Sequence, residues 1–272
     1  MLSTPLFDHT PAAIAPDNRA ARPTPLPWLP EPPAAGVARL GVAQAIAHTL
    51  DLAERKLPLT RRLLHAGEAV YRTGEVLQCL YLVNSGLFKT VNLAADGREQ
   101  VASLHFKGDW LGFDGIADAQ HGCDAVAMDV GEIWCVRYPA LMQACADDLS
   151  VMALLNSAMS RQITCGRDSL LSLCTLPADA RVADFLRHWA QALADRGLRN
   201  DQITLRMTRA EIGNHLGMKL ETVSRALSRL AQAGLITFAA QGRREVQIHD
   251  LQALAAFVHH HLSPQETAAA LH

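Results

Sequence analysis

In the stretch Thr208–Leu230, TRAEIGNHLGMKLETVSRALSRL, four polar residues recur at i, i+3, i+4 and i+7: Glu221, Ser224, Arg225 and Ser228. That spacing puts them on one face of a helix. A carboxylate accepts from a cytosine amino group, a guanidinium bonds both acceptors on a guanine edge, and a hydroxyl bonds either way. Together they form a cluster suited to reading base edges in a major groove. On nearly the opposite face, Val223, Ala226, Leu227 and Leu230 repeat the same spacing with apolar side chains. The helix therefore has one side for a core and another for a partner.

Something must hold that helix at a fixed angle. Thr208 and Glu211, three apart, match a capping box that starts a preceding helix. Ile212 and Leu216 give this first helix an inward side, and Gly217 supplies the backbone freedom that ends it. A helix, a short Gly-containing turn and a second helix make a helix-turn-helix. An ordinary helical hairpin in a core would share the apolar spacing, but not the polar cluster. After the second helix, Leu235–Phe238 and Glu245–Ile248 read as two strands joined through Gln241-Gly242-Arg243-Arg244, a wing with a basic tip.

The remaining chain frames this unit. Of 272 residues, 49% are apolar, which allows real cores and two domains. No apolar run reaches eighteen residues and no signal-peptide layout is present, so a cytoplasmic protein without a membrane partner is expected. The six cysteines (79, 123, 135, 145, 165 and 174) form no C-x-x-C pair, so no zinc site or disulfide framework is indicated. Net charge is −2, but Asp179–Leu262 carries eleven basic against eight acidic residues, so positive charge gathers around the helix-turn-helix. No nucleophile–base pair, metal motif or nucleotide loop stands at a useful spacing, so the chain is not read as an enzyme.

Five segments follow. Residues 1–36 hold nine of the thirteen prolines and read as a disordered tail. Residues 37–145 start with a helical pattern to about Leu64, interrupted by Pro58. From Ala66 they become short β-rich runs between Gly74, Gly86, Gly97 and Gly108, the texture of an antiparallel sandwich or barrel. Residues 146–176 predict one long helix with a near-heptad seam at Met152, Leu155, Met159, Gln162, Gly166, Leu170 and Leu173, suited to dimerisation. Residues 177–262 hold the winged helix-turn-helix, opened by a helix that Asp179 can cap. Residues 263–272 form a C-terminal tail.

This α+β order of β-barrel, long helix and winged helix-turn-helix resembles the Crp/Fnr family of bacterial transcription regulators, whose barrel is of the cyclic-nucleotide-binding type. Two stretches carry the resemblance: TRAEIGNHLGMKLETVSRALSRL, and LYLVNSGLFKT…DGREQV…HFKGDWLGFDGI, which is nearer the Fnr branch. The resemblance implies that Glu221, Ser224 and Arg225 occupy the E-x-x-S-R base-reading positions. They would read a TTGAT-like half-site twice, in an inverted repeat bound by a homodimer. It also implies backbone contacts from Thr208, Arg209, Lys219, Thr222 and Arg243 to double-stranded DNA. A segment containing Asp96, Gly97 and Arg98 would contact RNA polymerase, so both activation and repression are open.

Two expected absences accompany it. The stretch GFDGIADAQHGCDAVAMD, where cyclic-nucleotide binders keep an arginine for the phosphate, contains none, which argues against cyclic AMP. The sequence has no cysteine before Cys79 and only Cys135 at the place of a β-domain ligand, which argues against an iron–sulfur cluster. His105 is available as a haem ligand, and Cys123 with His121, or Cys174, as a redox reporter. The alternative function is a haem or small-ligand sensor acting mainly through protein contacts, with a degenerate DNA-binding domain.

Overall fold

A computed structural model describes residues 41–93, 99–239 and 244–262. The expected tails, Asp96, Gly97, Arg98 and Arg243 lie outside the described residues. Helix α1 (Val42–Lys56) places Leu50, Leu52 and Ala53 in a core and carries Arg55 and Lys56 in its last turn, where cations favour the helix dipole. It stops before Pro58, so the helical pattern expected to run to Leu64 does not: Thr60–Leu64 is a strand, β1. Seven more strands follow: β2 (Ala69–Tyr71), β3 (Cys79–Ser85), β4 (Phe88–Leu93), β5 (Glu99–His105), β6 (Trp110–Leu111), β7 (Asp124–Ala127) and β8 (Gly131–Arg137).

These eight strands form two antiparallel sheets, ordered β1-β8-β3-β6 and β2-β7-β4-β5. The two-residue period of a strand divides their side chains. Tyr81, Val83, Ile133 and Cys135 fill the space between the sheets with Phe88 and Leu111. Leu80, Leu82, Trp134 and Val136 face the other way, into a core shared with the helices. Burying a side chain such as Leu80 or Phe88 contributes roughly 1.5–3 kcal/mol.

The long helix expected over 146–176 is present as one helix, and a separate shorter helix precedes it. Helix α2 (Tyr138–Asp147) ends, and α3 (Leu149–Thr175) begins, at Asp148, whose carboxylate accepts from Ser150 N at 2.8 Å. The first turns of α3 bury Val151, Leu154, Leu155 and Ala158 against the barrel side, whereas every residue from Ser160 to Leu171 is exposed. Leu155 is thus part of the chain's own core, and Gln162 lines a cavity of the barrel. The exposed or half-exposed stripe is Met152, Asn156, Met159, Ile163, Gly166, Leu170 and Leu173, spaced 4, 3, 4, 3, 4, 3. It corrects the expected seam at two positions and fits a heptad more closely.

Helix α4 (Ala178–Ala194) starts after Pro177, and Asp179 does not cap it but pairs with Arg229. Beyond it come β9 (Gln202–Thr204), α5 (Arg209–His215), α6 (Leu220–Gln232), β10 (Ile236–Phe238), β11 (Glu245–Ile248) and α7 (Leu251–Leu262). The expected β-like stretch before Thr208 and the two wing strands make one sheet, β10-β11-β9. Val182, Leu186, Ile212, Val223, Leu227, Leu230 and Ile236 meet in a common core.

Candidate nucleic-acid interface

The local chemistry of α5 and α6 explains how the reading face is held. The capping box forms: Glu211 N donates to Thr208 Oγ1 at 3.1 Å and Thr208 N donates to Glu211 Oε2 at 2.8 Å. Gly217 ends the helix at φ +63°, where a side chain is strained. Gly213 matters for another reason. A Cβ there would lie 2.5 Å from Met218 O, so only glycine lets the turn fold back this closely. Two arginines that the sequence pattern did not single out lock the result. Arg181 donates to Leu176 O at 2.9 Å and Leu216 O at 3.0 Å, and Arg229 chelates the Asp179 carboxylate on α4. Neither has a local sequence signal, because the partners come together only in the fold.

On α6, Val223, Ala226, Leu227 and Leu230 are buried as their spacing predicts, while Glu221 and Arg225 are exposed and Ser224 is half-buried. Among the described residues no ion pair takes up Glu221, Arg225 or Lys219. Ser228 turns its hydroxyl back to Ser224 O at 3.0 Å. Lys219 is the N-cap without a side-chain cap bond, so free backbone donors stay at the start of α6 beside an ammonium and the Thr222 side chain. A helix start of this kind suits a phosphate. The other backbone candidates are more committed. Thr208 spends its hydroxyl in the capping box, and the Arg209 guanidinium lies over the Phe238 ring, 5.6 Å from its centroid, joining α5 to the wing.

Among the described residues, two cavities of the barrel bear on a ligand. One, of about 250 Å³, is lined by Tyr71, Thr90, Ser103, His105, Asp114 and Gln162 among others, and by no arginine or lysine among the described residues. His105 is buried, and its Nε2 is 2.8 Å from Ser103 Oγ, which in turn is 2.6 Å from Thr90 Oγ1. Burial holds the His105 pKa below the usual imidazole value. The second cavity, about 590 Å³, is lined by Arg62, Cys79, Tyr81, Cys135 and Arg137 among others. Cys79 and Cys135 lie on paired strands, giving two thiols where the sequence alone pointed to one.

Cys123 lies in the loop just before β7, but its thiol is not open to solvent. It is buried, and burial together with the Asp114 carboxylate pushes its pKa up to about 12. His121 is buried too, stacked on Tyr71 with ring centroids 3.6 Å apart. Cys174 is exposed. Brief alkylation of the native protein with iodoacetamide at pH 8 should therefore label Cys174 and leave Cys123 and Cys145 unmodified until the protein is unfolded, as read by peptide mass spectrometry. Equal labelling of Cys123 would contradict this burial. Among the described residues no group of three or more His, Cys, Asp or Glu is placed to hold a metal, and no helix is long and apolar enough to cross a membrane.

Known proteins share this architecture and its sequence. Residues 61–148 match the cyclic nucleotide-binding domain, and residues 180–257 match the Crp-like helix-turn-helix domain. The transcriptional regulatory protein btr of Bordetella pertussis is 33% identical over 71% of this chain and 78% of its own length. The fumarate and nitrate reduction regulatory protein of Salmonella typhi is 32% identical over 78% of this chain and 84% of its own. Among solved structures, FixK2 from Bradyrhizobium japonicum superposes with a TM-score of 0.66 at 30% identity, covering 74% of this chain and 97% of that one. With a β-barrel, a long helix and an open polar face on a winged helix-turn-helix, the chain belongs to the Crp/Fnr family of transcriptional regulators, with a Crp-like DNA-binding domain.

Proposed function

We propose that this regulator acts in the cytoplasm as a homodimer on an inverted repeat of TTGAT-like half-sites, with centres one helical turn apart. The observation that carries the reading is the outward face of α6. Glu221 and Arg225 are charged, exposed and without an ion-pair partner among the described residues, on a helix whose other face is fully used by the core. Arg225 takes the guanine edge, Glu221 accepts from a cytosine amino group, and Ser224 contacts a thymine. Lys219, Thr222, Thr208, Arg209 and Arg243 are the candidates for phosphate contacts that fix register. The exposed α3 stripe supplies the second copy. In the chain between β4 and β5, the segment containing Asp96, Gly97 and Arg98 is the proposed polymerase contact, giving activation where the site lies upstream and repression where it occludes the promoter.

The proposal includes no cyclic AMP and no iron–sulfur cluster. Among the described residues, the smaller cavity has no arginine or lysine to give a phosphodiester a counter-charge, and the two thiols of the larger one fall short of the roughly four ligands a cluster needs. Selection from random DNA duplexes, run with and without oxygen, tests the reading. The expected result is an inverted repeat of one half-site with a fixed spacing. Enrichment of unrelated or single half-sites would sink it.

A further inference from the structure

The sheet order β2-β7-β4-β5 leaves β5 at an edge, with one row of backbone groups lacking a strand. Helix α5 of the DNA-binding domain closes that edge. Asn214 Oδ1 accepts from Val101 N at 2.8 Å, Asn214 Nδ2 donates to Glu99 O, and Gln100 Nε2 donates to Asn214 O at 2.6 Å. The side-chain amide offers the donor and acceptor that a neighbouring strand would have offered. Next to it, His215 Nδ1 lies 3.0 Å from Val101 O, and one turn back Glu211 pairs with Lys89 on β4. Burial would raise the Glu211 carboxyl, but the bonds from Lys89 and Thr208 outweigh it and hold its pKa below the ordinary value.

Apolar contact continues beneath. Leu87, Val91 and Val101 of the barrel share one core with Ile212, Leu216 and Leu186. A second fastening lies at the end of α4. Arg196 donates to Lys107 O at 2.8 Å and to both Asp109 oxygens at 3.1 Å, with its guanidinium 5.0 Å from the Phe106 ring centroid. These contacts engage the side of α5 and the end of α4. They leave Glu221 and Arg225 exposed, so the clasp grips the head without covering what it reads.

We infer that Asn214 is a positioning residue: with Lys89 and Arg196 it fixes the attitude of each reading helix to the barrel, and so sets the half-site spacing the dimer accepts. The inference rests on the two-headed reading proposed above. One added base pair displaces a half-site by about 3.4 Å and rotates it by roughly 35°. Heads fastened to their barrels cannot follow that change, whereas heads on a loose joint can, because the second contact keeps its benefit only when geometry allows both at once.

Fluorescence anisotropy on duplexes with one half-site sequence and spacers altered by −1, +1 and +2 base pairs tests this. Wild-type protein should lose on the order of tenfold or more on a one-base-pair change, and Asn214→Ala about threefold or less. Both should reject a mutated half-site equally, since Asn214 lies away from the reading face. An Asn214→Ala protein with the wild-type spacing profile overturns the inference. So does one that loses spacing and base discrimination together, which would mean general damage to the head. If circular dichroism shows Asn214→Ala unfolded, Lys89→Met takes its place in the same panel under the same criteria. A wild-type protein indifferent to spacing sinks the inverted-repeat reading instead. The clasp is then judged by hydrogen exchange at the Val101 amide, where unchanged protection in Asn214→Ala overturns it.

Discussion

Arg225→Ala should lose about 1–3 kcal/mol at the guanine of each half-site, and roughly 2–6 kcal/mol over a two-headed complex whose sites are far enough apart to add. At 1.4 kcal/mol per tenfold, the cognate affinity falls from about 30-fold to about 10⁴-fold. The free protein should scarcely notice. Arg225 is exposed and forms no ion pair among the described residues, so removing it orphans no partner and its helix stays anchored through Val223, Leu227 and Leu230. The melting temperature should therefore stay near wild type, while a panel of duplexes substituted at each position loses its preference at one base pair only. Lys219→Ala should behave in the complementary way. It weakens binding to all sequences alike and lowers the salt slope by about one per head, as a phosphate contact does. A variant at Arg225 that kept full base discrimination would show that α6 does not read the groove through this residue.

How much of this was legible in the sequence depends on whether the information is local. The α6 face was readable because its apolar and polar residues each repeat at helical spacing, and the structure buries Val223, Ala226, Leu227 and Leu230 accordingly. Strand β1 was not. Its inward positions are Thr60, Arg62 and Leu64, two of them polar at the mouth of a cavity, so the alternation that marks a strand is missing. The clasp was invisible for a different reason. Asn214 looks like any polar residue on a short helix, and its partner Val101 lies 113 residues away. Helix α3 shows a third limit. It carries two apolar stripes, and periodicity alone does not say which belongs to the chain's own core. Leu155 and Gln162 fall in the expected seam by spacing, yet one is packed inside and the other faces the barrel cavity.

That distinction yields the strongest expected effect on assembly. Ile163 and Leu170 are 72% and 61% exposed in a single chain, in a stretch of α3 where no residue is buried. Side chains of this kind each contribute roughly 1.5–3 kcal/mol when fully covered. At a two-fold seam each counts twice, so the pair accounts for about 6–12 kcal/mol, as much as a dimer of roughly tens-of-micromolar to nanomolar affinity holds in total. Ile163→Glu with Leu170→Glu removes that burial and sets like charges facing across the axis. Light scattering should then report a monomer. The fold should persist, because α3 remains fastened through Val151, Leu154, Leu155 and Ala158, none of which is altered. A methyl group added to Gly166, between the two sites, would meet nothing within 4 Å, so this part of α3 is open in a single chain. DNA binding separates the consequences. Affinity for the inverted repeat should fall by a factor on the order of 10² or more as the second head is lost, while affinity for a duplex carrying one half-site stays near wild type. A doubly substituted protein that remained a dimer would move the interface off α3. One that became a monomer yet bound the inverted repeat as tightly as before would show that the two heads never acted together.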